Sequence, residues 1–170
     1  STVVGLVAVR LLIALAAALR LTVYHLDIET AFLHSDLEEE LYIQPPTGFS
    51  LPKSENGKPQ VWKLKKGLYG LKQSNALFQK KITTALLNIG FQQCKTDPCL
   101  FYYYKGSIKC ILAIFVDDIA YACNSDDFKS SMLRQLKSEF RVEDLGPLNW
   151  YLGTKVEQGE KHYTISQSAY

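Results

Sequence analysis

The chain has 170 residues, 47% hydrophobic and 21% charged, which is ordinary globular usage and excludes disordered and fibrous classes. Its net charge of +2, from 19 Lys and Arg against 17 Asp and Glu, does not announce a nucleic-acid protein, so charge placement must carry any such argument. The length suits one domain or a piece of a longer protein, with enough bulk to bury about 70% of its unfolded surface. Residues 3–23 look almost like a membrane span, but Arg10 and Arg20 interrupt them. A spanning helix needs roughly 20 apolar residues, so this segment reads as a buried helix rich in Ala and Leu. A positive start and a small-residue cleavage site, the marks of a signal peptide, are lacking. The chain begins inside this apolar run, as an excised fragment would.

Residues 21–29 alternate in part and are rich in β-branched side chains, which predicts a strand. Residues 32–40 read as a short acidic helix or turn, and 41–44 as a strand stopped by Pro45 and Pro46. Four of the six prolines fall in residues 45–60, an exposed loop. Residues 61–70 resume as extended structure. Ser74 or Asn75 caps a helix running to Ile89, and Gly90 stops it. Residues 98–104 and 110–116 are apolar runs joined by Lys105-Gly106-Ser107, a hairpin signal. Strand character returns in 119–123. Ser125 or Asp126 caps a helix over 127–140 with Phe128, Met132, Leu133, Leu136 and Phe140 on one face. Gly146-Pro147 breaks the chain, and two last strands, 150–158 and 162–167, flank a turn at Gly159-Glu160. Strands and helices mix without regular alternation, so the fold class is α+β with an antiparallel sheet.

The most unusual local feature is Asp117-Asp118, two carboxylates directly after a buried apolar run. Successive strand side chains point to opposite faces, so both serve one site only if the chain turns there. Solvated punctuation at a turn is the bland alternative. Asp27 also ends a strand-like segment, and if the two strands are neighbours, three carboxylates meet at one sheet end. Hard cations such as Mg²⁺ take oxygen ligands, which makes a two-metal site possible. Residues 61–81 hold six lysines and no acid, interleaved with Trp62, Tyr69 and Phe78. That mixture suits a phosphate backbone with stacked bases, or a solvated face. Residues 27–40 are the acidic reverse. The four cysteines fit neither a zinc motif nor a disulfide framework and read as free, mostly buried thiols. No Walker A or GxGxxG loop occurs, and the three histidines form no visible nucleophile–base pair.

Five ordered blocks, LDIETAFLHSDLEEELYIQPPTGF, LKKGLYGLKQ, DPCLFYY, FVDD and DLGPLNWYLG, resemble the reverse transcriptase domain of copia-type retrotransposon Pol polyproteins. The resemblance covers residues from about 10 to 168. It implies a palm-type polymerase core, an antiparallel sheet packed on helices, and an RNA-directed DNA polymerase that joins a dNTP to a primer 3′-hydroxyl. By this resemblance Asp27, Asp117 and Asp118 are catalytic and hold two Mg²⁺ ions, with Mn²⁺ able to substitute. One ion activates the 3′-hydroxyl and the other clamps the triphosphate. Phe32 matches the aromatic gate that rejects a ribose 2′-hydroxyl, beside Ala31, although a core role is its plainer reading. Gln73 matches a residue lining the nucleotide pocket. Lys72, Phe115 and the segment Trp150, Tyr151, Leu152 and Gly153 match contacts to primer and template. The implied partners are an RNA or DNA template with its primer, dNTPs, and the integrase and RNase H portions of the polyprotein. The implied place is the cytoplasm, within retrotransposon particles, with no membrane.

The sequence departs from the family pattern in several places. Phe115 stands where the family usually has Tyr. Asn75, Ala76 and Phe78 stand where it has Pro-Arg and then Trp. The basic fingers segment that precedes this region in the family is missing, so residues 1–170 read as a partial domain, palm with part of the fingers. Neither RNase H nor integrase sequence follows Tyr170. The competing expectations are a decayed fragment that only binds nucleic acid, and another palm-like enzyme acting on nucleotides.

Overall fold

In the structure, a computed structural model, residues 6–49, 56–57, 60–159 and 162–167 are described. Helix α1, Leu6–Leu19, is followed by strand β1, Val23–Ile28, and a 3₁₀ turn, Ala31–His34. Strands β2, Asp36–Ile43, and β3, Trp62–Lys66, lead into helix α2, Lys72–Ile89. A short β4, Gln92–Gln93, precedes β5, Leu100–Lys105, β6, Ile108–Phe115, and β7, Asp118–Cys123. Helix α3, Asp126–Glu139, and strands β8, Val142–Pro147, β9, Trp150–Tyr151, β10, Thr154–Gln158, and β11, Tyr163–Ser166, complete the chain. The fold is α+β with antiparallel sheets. The central sheet has the order β4-β5-β6-β7-β1-β8, all pairs antiparallel.

Period-2 alternation divides the sheet's side chains between two cores. Leu26, Ile28, Leu112, Ile114, Ile119 and Tyr121 pack against α2 and α3. Val23, Ile111, Ala113, Ala120 and Ala122 face the other way, against α1 and the small sheet β9–β11. The Gln158 side chain ties the small sheet to β1 by hydrogen bonds. The Gln158 Oε1 accepts the Val23 N–H at 2.8 Å, and its Nε2 donates to the carbonyls of Val23 at 2.9 Å and Leu148 at 2.8 Å.

Several expectations are corrected. Helix α1 is buried on one face only: Leu12 and Ala16 are fully buried, while Val7 and Leu11 are exposed. In agreement with the reading of residues 3–23, no helix among the described residues is long and apolar enough to cross a membrane. Most of the acidic stretch 32–40 is strand, because β2 finds its partner in lysine-rich β3, with Asp36 opposite Lys66 and Tyr42 opposite Lys63. Helix α2 starts at Lys72 from Leu71, earlier than Ser74, whose hydroxyl is buried and accepts the Leu68 N–H at 2.9 Å. The hairpin loop between β5 and β6 is the two residues Gly106-Ser107. Gly146-Pro147 does not break the chain. It continues β8, an edge strand, where a missing N–H is tolerated. Residues 150–158 are two strands, not one, folded at Leu152-Gly153 with φ of 50° and 74°. Two consecutive positive φ values mark a type I′ turn, and Leu is a costly residue there. In the turn at Gly159-Glu160, Glu160 lies outside the described residues, as do residues 50–55 and 58–59 of the proline-rich loop.

Other expectations hold. Ser125 caps α3, its hydroxyl accepting the Phe128 N–H at 3.3 Å, with Asp126 and Asp127 in the first turn. Gly90 ends α2 at φ 107°. Among the described residues no disulfide is formed.

Candidate functional site

The β6–β7 hairpin turns at Val116-Asp117, and its closing pair is Phe115 opposite Asp118. Val116 has φ 56°, a left-handed conformation that a β-branched residue adopts only under strain. On the other side of β7, Asp118 is paired with Asp27 of β1. Directly opposed residues share a face, so Asp27, Asp118 and Phe115 lie together at one end of the sheet. Asp117 sits at the turn, and its carbonyl accepts the Ile28 N–H at 2.9 Å. The turn therefore brings the three carboxylates together, as their spacing alone could not establish.

Electrostatics reports the same proximity. Burial raises the Asp27 pKa above its ordinary 3.8, and the charges of Asp117 and Asp118 raise it further, against a smaller opposing effect of His25. Glu143 of β8, opposite Asp27, adds a fourth negative charge.

Side chains that the sequence did not connect with these acids hold them. The His25 Nε2 lies 2.8 Å from the Asp118 Oδ1, and the ring stands edge-on to Tyr151 at 5.5 Å. The Tyr151 hydroxyl donates to the Asp118 carbonyl at 3.3 Å, and burial beside Asp118 pushes its pKa well up. The Tyr69 hydroxyl donates to the Asp117 Oδ2 at 3.0 Å, and burial with this bond raises its pKa. His25 could have been found, being two residues before Asp27 and thus on its face. Tyr69 left no comparable signal, because only the fold of residues 67–71 brings it over.

The donor set is hard carboxylate oxygen, which suits Mg²⁺ or Mn²⁺ rather than a soft metal. The Asp27 carboxylate has no hydrogen-bond partner among the described residues, and its raised pKa marks a place short of positive charge. Both observations fit a divalent cation. Among the described residues no group of three or more His, Cys, Asp or Glu side chains stands arranged to hold a metal ion.

The remaining expected residues spread along two walls. Ala31 and Phe32 are buried in the 3₁₀ turn, the Phe32 ring 4.4 Å from Tyr69 and 6.3 Å from Phe78. Phe32 is thus core on one side and a neighbour of the Tyr69–Asp117 contact on the other. Gln73 turns its amide to Glu39 of β2 at 3.0 Å, so Tyr69, not Gln73, is the residue of this segment that reaches an acid of the turn. The lysine-rich stretch is largely spoken for: Lys63 pairs with Glu40, Lys66 with Asp36 and Lys80 with Glu38. Lys72 is exposed without a partner among the described residues. Phe115 packs on the α1 side of the sheet with Leu152. Trp150 is exposed, Tyr151 is buried, and Gly153 completes their hairpin turn.

Gly67 joins these walls. A Cβ there would lie 2.8 Å from the Phe32 carbonyl oxygen and 2.9 Å from the Ser74 hydroxyl. Gly67→Ala is therefore expected to lose about 1–3 kcal/mol in urea unfolding and to displace the Phe32–Tyr69 contact. An unchanged midpoint would show that the junction yields freely.

A family model described as "Reverse transcriptase (RNA-dependent DNA polymerase)" matches residues 1–170. The chain is 34% identical over its whole length to the Retrovirus-related Pol polyprotein from transposon TNT 1-94 of Nicotiana tabacum, covering 13% of that protein. It is 29% identical over its whole length to the Retrovirus-related Pol polyprotein from transposon RE1 of Arabidopsis thaliana, covering 11%. Over 71% of the chain it is 32% identical to the Transposon Ty1-DR4 Gag-Pol polyprotein of Saccharomyces cerevisiae, covering 7%. The chain thus spans a small part of the length of these relatives.

Proposed function

The chain belongs to the reverse transcriptase (RNA-dependent DNA polymerase) family, and from that premise we propose that it is the palm-type core, with part of the fingers, of a copia-type retrotransposon polymerase. The observation that carries this reading is the meeting of Asp27, Asp117 and Asp118 at one end of the central sheet. These three residues are assigned as the ligands of two Mg²⁺ ions, or of Mn²⁺ in their place. Bound divalent ions supply Lewis acidity to the primer 3′-hydroxyl and charge neutralisation to the triphosphate.

The protein's own task is positioning. His25 and Tyr69 fix the carboxylates of Asp118 and Asp117 until the substrate complex draws them in. Tyr69 and Phe32 together make the wall against which a deoxyribose would stack, and a bulky ring there excludes a 2′-hydroxyl by contact. The N–H of Ala31 belongs to the same wall. Gln73, through Glu39, supports it from the α2 side. The Trp150–Gly153 hairpin beside Phe115 is assigned to the primer end, and Lys72 to template phosphate. Template, primer and dNTP are the partners, in the company of the integrase and RNase H parts of a Pol polyprotein, in cytoplasmic retrotransposon particles.

The test is primer extension on an RNA template with Mg²⁺, comparing the chain with an Asp117→Asn/Asp118→Asn variant. Extension by the chain and none by the variant is expected. Equal extension by both would remove the catalytic assignment. Salt-dependent binding of an RNA–DNA hybrid without any extension would favour a remnant that only binds nucleic acid.

A further inference from the structure

We propose that Cys110 and Cys123 are a peroxide-reactive dithiol, a modification site at the open end of the β6–β7 hairpin that closes to a disulfide. The inference does not depend on the polymerase reading.

Register is the first ground. Cys110 of β6 and Cys123 of β7 are direct cross-strand partners. The Asn124 N–H donates to the Lys109 carbonyl at 3.1 Å, which places the 109/124 pair in the hydrogen-bonded set. Antiparallel pairs alternate, so 110/123 is a non-hydrogen-bonded pair, where Cα atoms stand about 4.5 Å apart. That separation lies inside the range of about 4.4–6.8 Å that a disulfide spans. Both side chains lie on the face of the sheet that packs on α2 and α3.

The second ground is the unequal setting of the two thiols. Cys110 is fully buried, whereas Cys123 is only partly buried, just before the start of α3. The Cys123 thiol donates to the Ser125 carbonyl at 3.5 Å. Interaction with the Cys110 thiol is the largest influence lowering the Cys123 pKa, to about 7, aided by Lys129 against burial and Asp126. The same interaction and burial raise Cys110. Cys123 is thus the nucleophile and Cys110 the resolving thiol. Cys99, buried and raised to about 11, is a poor competitor.

The chemistry balances with hydrogen peroxide as the oxidant. The Cys123 thiolate attacks one peroxide oxygen, the O–O bond breaks, and a sulfenic acid and hydroxide form. The Cys110 sulfur then attacks the sulfenic sulfur, its proton leaves with the departing hydroxyl as water, and the S–S bond forms. Two thiols are oxidised and one peroxide is reduced to two waters. The closed loop contains the Val116-Asp117 turn, so the bridge braces the hairpin that carries two of the acids.

The full chain is treated with dilute hydrogen peroxide, quenched under denaturing conditions with an alkylating agent and digested for mass spectrometry. The expected product is a Cys110–Cys123 linked peptide, with two of the four thiols lost and both regained with dithiothreitol. The thermal midpoint of the oxidised form is expected to rise by several degrees, since the bridge restricts the unfolded chain. In Cys123→Ser, a mild change at a partly buried site, Cys110 is expected to stay fully alkylatable after peroxide. The proposal is overturned if, after peroxide, Cys110 remains a thiol in the unsubstituted chain while Cys123 advances to sulfinic acid, or if the bridge found joins Cys94 instead.

Discussion

Asp27→Asn is expected to raise the melting temperature of the metal-free protein at neutral pH and, on the proposed polymerase reading, to reduce templated extension by about a thousandfold or more, the scale of the several kcal/mol that a metal-held carboxylate would command. The two effects have one origin. Burial and the neighbouring charges of Asp117, Asp118 and Glu143 disfavour ionised Asp27, so its folded pKa stands above the ordinary 3.8. For a group raised on folding, the stabilising contribution is complete below the unfolded value and is lost as pH rises through the folded value. The wild-type melting temperature therefore falls relative to that of the Asn variant as pH climbs through that window, and the gap persists at pH 7. Added Mg²⁺ reverses the order, stabilising the wild type by binding the folded state and leaving the variant nearly unmoved. A variant that melts lower than wild type without metal would mean that Asp27 is held by favourable contacts and is no strained ligand.

Phe78→Ala produces the largest loss of stability, about 3–5 kcal/mol. Its ring is 1% exposed and stands edge-on to Phe32 at 6.3 Å and Phe140 at 6.1 Å. It thereby joins α2, the 3₁₀ turn and the residue following α3. At 170 residues this corresponds to a fall in melting temperature of roughly 6–20 °C. Because Phe32 leans on it, the surviving folded protein should also accept ribonucleotides more readily, as the proposed gate loses its backing. Phe78→Leu keeps most of the volume and should recover most of the stability. Urea unfolding with an unchanged slope and a shifted midpoint is the expected record. A stability within about 0.5 kcal/mol of wild type, the scale of a surface change, would show that the three elements pack without it.

Local chemistry was readable wherever it decided the structure. Ser125 before an apolar helical period announces α3, and Gly90 announces the end of α2, because caps act within a turn of the chain. Strand β2 was misread for the opposite reason. Its acidic run is locally suited to a helix or turn, and only pairing with Lys63 and Lys66, more than twenty residues away, makes it a strand. The same pairing changes the meaning of the basic stretch, whose lysines meet carboxylates of their own chain before any phosphate. At the site, the facing of Asp27 and Asp118 follows from alternation once their strands are neighbours. The reach of Tyr69, the diversion of Gln73 to Glu39 and the partnership of Cys110 with Cys123 all required the register or the loop path.

The Gln158 amide has a mechanical consequence. By bonding both backbone groups of Val23 and the Leu148 carbonyl, it acts as a rivet between the hairpin-bearing small sheet and the strand that carries Asp27 four residues further on. A load placed on the β9–β10 hairpin passes through these bonds into β1. The two cannot drift apart by a flexible joint, so whatever the hairpin grips moves in step with the carboxylate.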